Sequence, residues 1–182
     1  MSDSVWPVSN SVRRVGDCVR RAALATLAML VVVAVSMAGL LGVALAASDP
    51  FIGTWVMDPQ RSRYEAGDLP QSMSIVMTSA GQGIYYRSQT TLSNGSHVSS
   101  AYTADYDGSV AMVLGTTGIM APVSLRRVDD RTVECSYMKG LRVVASSRRV
   151  ISENGATMTI TTVSPGKDGA TSTNVAFFAR AQ

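Results

Sequence analysis

Histidine is nearly absent: His97 is the sole imidazole in 182 residues. It follows an Asn94-Gly95 turn by two positions, where side chains are normally solvated. No spacing of acids or cysteines around it resembles a metal-ligand set. A Ser-His-Asp arrangement would have to run through it. The sequence therefore offers no catalytic residue and no metal site, and it calls for no cofactor. Cysteine is equally sparse. Cys18 lies before a long apolar run and Cys135 stands alone after it, so no disulfide closes within the later region and a cysteine-based zinc site is excluded. Period-2 alternation places Cys135 with Val133 and Tyr137, as a small buried hydrophobe.

Charge is also scarce, at 16% Asp, Glu, Lys and Arg, and it is unevenly placed. The formal net charge of +3 owes two units to the first 46 residues; from Ala47 onward 12 Lys+Arg face 11 Asp+Glu. A nearly neutral domain carries no electrostatic footprint for nucleic acid. Carboxylate pairs such as Asp129-Asp130 and Asp105/Asp107 fall at turns, where Asp serves backbone geometry.

The one long uncharged stretch is Ala22 to Ala47, preceded by Arg13, Arg14, Arg20 and Arg21. A basic start, an apolar run and small residues at Ala44-Leu45-Ala46 have the form of a secretory signal. The run is also long enough to span a bilayer, so an uncleaved anchor helix is the alternative. Either way the arginines direct the remainder out of the cytoplasm, to a periplasmic or secreted location. The expected organisation is a signal or anchor segment over residues 1–46 and one domain over residues 47–182. No cysteine directly follows the run, which argues against a lipoprotein, and Val-Gly-Asp after Arg13-Arg14 makes a weak twin-arginine signal.

After Asp49 no stretch shows a 3.6-residue apolar period. Short runs rich in Val, Thr, Ile, Tyr and Ser alternate instead with Asn94-Gly95, Asp107-Gly108, Asp129-Asp130, Lys139-Gly140, Asn154-Gly155 and Gly166–Gly169. Strands are expected at about 51–58, 71–79, 83–92, 97–106, 109–114, 120–128, 131–139, 142–152, 156–163 and 173–180. The Asn-Gly and Asp-Gly pairs suit type I′ turns. Hairpins this tight leave no room for crossover helices. The fold class is all-β: an antiparallel up-and-down meander of 8–10 strands, closed into a barrel to hide its edges, with a sandwich as the alternative.

Gly53-Thr54-Trp55 on the first strand, followed by Asp58-Pro59-Gln60-Arg61-Ser62-Arg63-Tyr64, resembles the calycin superfamily of lipocalins and their relatives. It is most similar to small secreted bacterial lipocalin-like proteins. "YTADYDG" (Tyr102 to Gly108), "VSLRRVDDRTVE" (Val123 to Glu134), "NGATMTITT" (Asn154 to Thr162) and "NVAFFAR" (Asn174 to Arg180) extend the likeness over nearly the whole domain. The resemblance implies a lipocalin-like barrel in which Trp55 plugs the closed end beneath Arg180, with Gly53 as part of the motif. "SVAMVLGTTGIMAP" departs from it by being apolar. It reads either as a portal or partner-facing patch or as an extra strand packing Met112, Leu114 and Met120 inward.

Many strand residues are Ala, Ser or Thr, which leaves the interior of such a barrel underfilled. The leading expectation is a non-enzymatic exported barrel binding a small, largely apolar ligand, lined by Met73, Ile75, Met77, Tyr86, Tyr102 and Tyr137. Arg126-Arg127 and Arg148-Arg149 each send one guanidinium to either face; an inward one offers an anionic head group a bidentate partner, a solvated position the plainer alternative. The competing expectations are an envelope-associated protein-interaction or structural module with a filled core, whose partner the sequence does not name, and an isomerase- or hydratase-type barrel enzyme. Membrane contact is expected only through the N-terminal segment.

Overall fold

The computed structural model describes residues 48–116, 118–165 and 169–182. The expected leader and its cleavage site, residues 1–46, and the side chain of Met120 lie outside the described residues. Ser48–Gln182 form one compact unit. Ten strands run in order: β1 (Gly53–Tyr64), β2 (Ser72–Ala80), β3 (Gly83–Thr91), β4 (His97–Asp105), β5 (Asp107–Gly115), β6 (Gly118–Asp129), β7 (Thr132–Lys139), β8 (Arg142–Ile151), β9 (Thr157–Pro165) and β10 (Thr171–Arg180). Each pairs antiparallel with its sequence neighbours and β10 returns to β1, closing the barrel. Closure satisfies the edges that a meander of this length would otherwise expose.

The turns close differently from the type I′ expectation. Type I′ demands positive φ at two successive residues, yet among the described residues positive φ occurs at glycine alone. Gly95 N–H donates to Leu92 C=O at 3.0 Å and Leu92 N–H to Ser96 C=O at 2.8 Å. Gly155 and Ser152 repeat the arrangement, at 2.9 Å for both bonds. These are longer turns ended by one left-handed glycine, and the Asn side chains work by hydrogen bonding: Asn94 Oδ1 accepts from Ser96 N–H at 2.9 Å and Asn154 Oδ1 from Ala156 N–H at 3.1 Å.

The first strand runs beyond its expected end at residue 58 by turning on itself. Pro59 has no N–H for a ladder, and pairing with β10 shifts between Asp58 and Arg63. Asp58 Oδ1 accepts the N–H groups of Gln60 and Arg61, at 3.0 and 3.2 Å. Ser62, only 1% exposed, donates its hydroxyl to Asp58 C=O at 2.7 Å and accepts from Phe177 N–H at 3.1 Å. The Asp-Pro-x-Arg-Ser stretch is thus a bulge whose broken ladder is mended by one serine.

Inward residues form a single apolar cluster that includes Trp55, Ile75, Met77, Ile84, Leu125, Val133, Cys135, Met158 and Phe178. Between Gly108 and Val123 the chain forms the rest of β5 and the start of β6, and on β5 the face turned inward is the opposite of that expected. Val113 is buried and Ala111 packs on the core, while Met112 and Leu114 are 55% and 61% exposed. The register Ala111↔Val123 fixes this, because Val123 belongs to the buried face of β6. Between β4 and β5 the ladder itself is short, holding only Ser100↔Gly115 and Ala101↔Leu114.

Candidate functional site

One end of the barrel is sealed. Trp55 is fully buried, and its indole N–H donates to Phe51 C=O at 3.0 Å. The Arg180 guanidinium lies 4.2 Å from the indole centroid, a contact worth about 0.5–2 kcal/mol. Its N–H groups reach Ile52, Pro50 and Gly155 carbonyls at 2.6, 2.6 and 2.8 Å. Gly53 has φ of 141°, and a Cβ there would stand 2.5 Å from Arg180 Nη1. Glycine precedes the tryptophan because the arginine occupies the space a side chain would need. Next to this plug, Asp49 Oδ2 accepts from Arg127 at 2.6 Å and from the Tyr106 hydroxyl at 2.8 Å, tying the segment before β1 to the barrel floor.

Toward the other end the interior changes character. A cavity of about 270 Å³ is lined by Met73, Tyr86, Ser88, Thr90, Val98, Ser100, Tyr102, Val113, Ala121, Val123, Tyr137 and Arg149. A larger rim concavity, about 560 Å³, shares Met73, Thr90 and Val98 with it. Four of the six residues expected to line a ligand site, Met73, Tyr86, Tyr102 and Tyr137, meet here. Ile75 and Met77 also point inward, but they are fully buried in the apolar cluster and line neither space. His97 is exposed on the rim, its Nδ1 3.2 Å from Thr91 Oγ1.

Arg149 dominates the cavity's chemistry. Alternation along β8 turns Ser147, Arg149 and Ile151 inward and leaves Arg148 outside with Glu134. The Arg149 side chain is 3% exposed and crosses the lumen to donate from Nη2 to the Tyr102 hydroxyl at 2.9 Å. Its plane lies 5.0 Å from the Tyr86 ring centroid. Tyr86 and Tyr102 are opposite one another on β3 and β4 and stack at 4.6 Å and 13°. Ser88 and Ser100, the next inward pair, share a hydrogen bond of 2.8 Å. Nε and Nη1 of Arg149 have no partner, and no carboxylate among the described residues answers its charge.

An uncompensated charge out of water is costly. Burial opposes the guanidinium charge, while the phenols and the Cys135 thiol around it, Tyr102 foremost, draw its pKa well above the ordinary value. It is cationic at any working pH. Burial pushes the Tyr86 phenol up to about 12 and the Tyr102 phenol well above its usual range, with Arg149 pulling both the other way. Burial likewise raises Tyr137. The lumen therefore presents one fixed cation and three neutral hydroxyls, two donors of the cation being free.

The sequence pointed to one inward arginine per pair but not to which. The Arg126-Arg127 pair does not contribute: Arg126 pairs with Glu134 outside, at 2.5 Å, and Arg127 serves the closed end. No protein-family model matches the chain, and no curated protein does. Among solved structures, the chain is similar to zebrafish ileal bile acid-binding protein complexed with cholic acid, at 11% identity and a TM-score of 0.47, over 72% of this chain and 99% of that one.

Proposed function

We propose that this protein is an exported, non-enzymatic carrier of one small amphiphile, an anionic group on a largely apolar body. The observation that carries the reading is the buried, half-partnered Arg149 at the end of a tyrosine-lined cavity. The anion takes a single charge-assisted hydrogen bond from the free Nε or Nη1. The body then lies past Met73 and Val98 toward the rim concavity, since 270 Å³ holds little more than a head group and the start of a chain. Export is supported by the arginine-then-apolar N-terminal segment, and a bacterial envelope by the resemblance to small secreted lipocalin-like proteins.

Native mass spectrometry of the protein isolated from its own compartment tests the reading first. A reproducible added mass, released on denaturation, is expected; a bare chain together with no uptake of decanoate in calorimetry overturns it. Decanoate binds more tightly than decanol, and Arg149→Met removes the difference, about 10- to 100-fold for a charged hydrogen-bonded contact. Equal affinity for acid and alcohol in the unaltered protein sinks the anion assignment. The second reading, an interaction module held by an uncleaved leader, is favoured by the outward row of Val110, Met112 and Leu114 on β5.

A further inference from the structure

The hairpin of β7 and β8 continues past its pairing with the strands on either side. Pairing of β6 with β7 ends at Val123↔Tyr137, and pairing of β8 with β9 ends at Ser146↔Val163. Past those points β7 and β8 pair, among the described residues, only with each other, through Met138↔Val143 and Lys139↔Arg142, after a shift in register at Tyr137/Met138, while Val143 and Val144 border a concavity shared with Val163, Pro165 and Gly169. Strand alternation is lost there, for Gly140 to Val144 are all exposed. Leu141 at the apex is 97% exposed, Val143 58% and Val144 37%.

Two features of this tip are unfavourable in water. Aliphatic side chains lie open on both faces of a two-stranded ribbon that has little stability of its own. Lys139 and Arg142 also face each other directly, a like-charge pairing that destabilises a hairpin. Neither takes part in a salt bridge among the described residues. An anionic lipid surface reverses both: its head groups answer the cations, and its acyl boundary accepts Leu141 and Val143. A folded protein partner would cover one face and engage an aromatic or arginine anchor in a pocket. A bilayer interface surrounds the tip instead, which suits apolar residues on both faces.

We propose that the Met138–Ala145 hairpin is a docking element for anionic lipid surfaces. It stands at the open end of the barrel, where β2 begins and β3 ends, so docking brings the rim concavity to the lipid. The proposal does not depend on a ligand occupying the cavity.

Hydrogen exchange of the full chain tests it, with vesicles of phosphatidylcholine alone and of phosphatidylcholine mixed with phosphatidylserine. Amides of residues 138–145 are expected to slow only with the mixed vesicles. The double variant Lys139→Gln/Arg142→Gln weakens that interaction roughly thirtyfold, and Leu141→Ser weakens it with the cations in place. Because the readout is local to the hairpin, attachment by any other segment does not imitate it, and exchange in β2 reports whether each variant is folded. Equal exchange with both vesicle types overturns the proposal, as does protection that survives the double variant. Protection by poly-glutamate but by neither vesicle also overturns it and assigns the tip to an acidic protein partner.

Discussion

The two halves of this barrel are built from the same alternating strands yet treat polar atoms in opposite ways. At the closed end each side-chain nitrogen of Arg180 donates to a carbonyl, Trp55 donates to Phe51, and Arg127 and Tyr106 converge on Asp49. In the open half, Arg149 is more deeply buried than either of the other arginines yet keeps two nitrogens without partners. Satisfied polar groups cost folding little, whereas unsatisfied ones are retained at its expense. The difference fits a closed half that holds the fold and, under the proposed function, an open half kept for a ligand.

The sharpest way to test that division is to truncate each half. Trp55→Ala removes a fully buried indole and the surface on which Arg180 lies. It is expected to cost about 3–5 kcal/mol in denaturant unfolding. Tyr102→Phe, in the open half, removes the one hydroxyl Arg149 donates to; it is expected to cost about 1–3 kcal/mol, less than Trp55→Ala, and to weaken decanoate binding. If Tyr102→Phe destabilised as much as Trp55→Ala, the division would collapse.

Alkaline titration probes the open half without mutation, alongside the Tyr106 phenol at the closed end, which burial and Asp49 also raise. Tyr86 ionises near 10 when unfolded and at about 12 when folded. Its contribution to stability is therefore complete below pH 10 and is lost as pH rises from 10 to 12, amounting to about 3 kcal/mol for a shift of that size. Tyr102 and Tyr137, raised by the same burial, steepen the fall. Monitoring phenolate absorbance beside unfolding checks this: a stable barrel with Tyr86 ionised at pH 10 would place water in the cavity.

Asp49→Ala probes the floor. It removes acceptors for Arg127, Tyr106 and the Phe51 N–H. Arg127 and Asp49 side chains keep 27% and 23% exposure, so water replaces part of what is lost. A loss of about 1–2 kcal/mol in thermal or denaturant melts is expected, with decanoate binding unaffected.

Most of the architecture was legible because period-2 alternation and glycine turns are local signals. All ten strands overlap the spans those signals gave, though β1 runs on to Tyr64, past its expected end at residue 58. What escaped depended on register. Met112 and Leu114 face outward because β5 is keyed to Val123 across the sheet, which no local window reveals. The type I′ expectation failed because Asn-Gly also ends longer turns, in which asparagine caps rather than adopting positive φ. For the site, alternation found the tyrosine faces and one inward arginine per pair. It did not give depth along the barrel, so Ile75 and Met77, on the same face as Met73, went to the core and Met73 to the cavity.

Arg149→Met should produce the smallest change in stability, and its sign is the informative part. The guanidinium has lost water and gained one phenol oxygen, so replacing it with an apolar chain of similar length removes an uncompensated charge. Tyr102 then loses its donor, which offsets some of that gain. The net expectation is a protein more stable by about 1 kcal/mol, measured by denaturant unfolding of ligand-free chains, with decanoate binding reduced to the level of decanol. A destabilised Arg149→Met would mean that the cation stabilises the empty barrel, and the open half would then be built like the closed one. Stability gained where affinity is lost is the signature of a residue kept for its ligand.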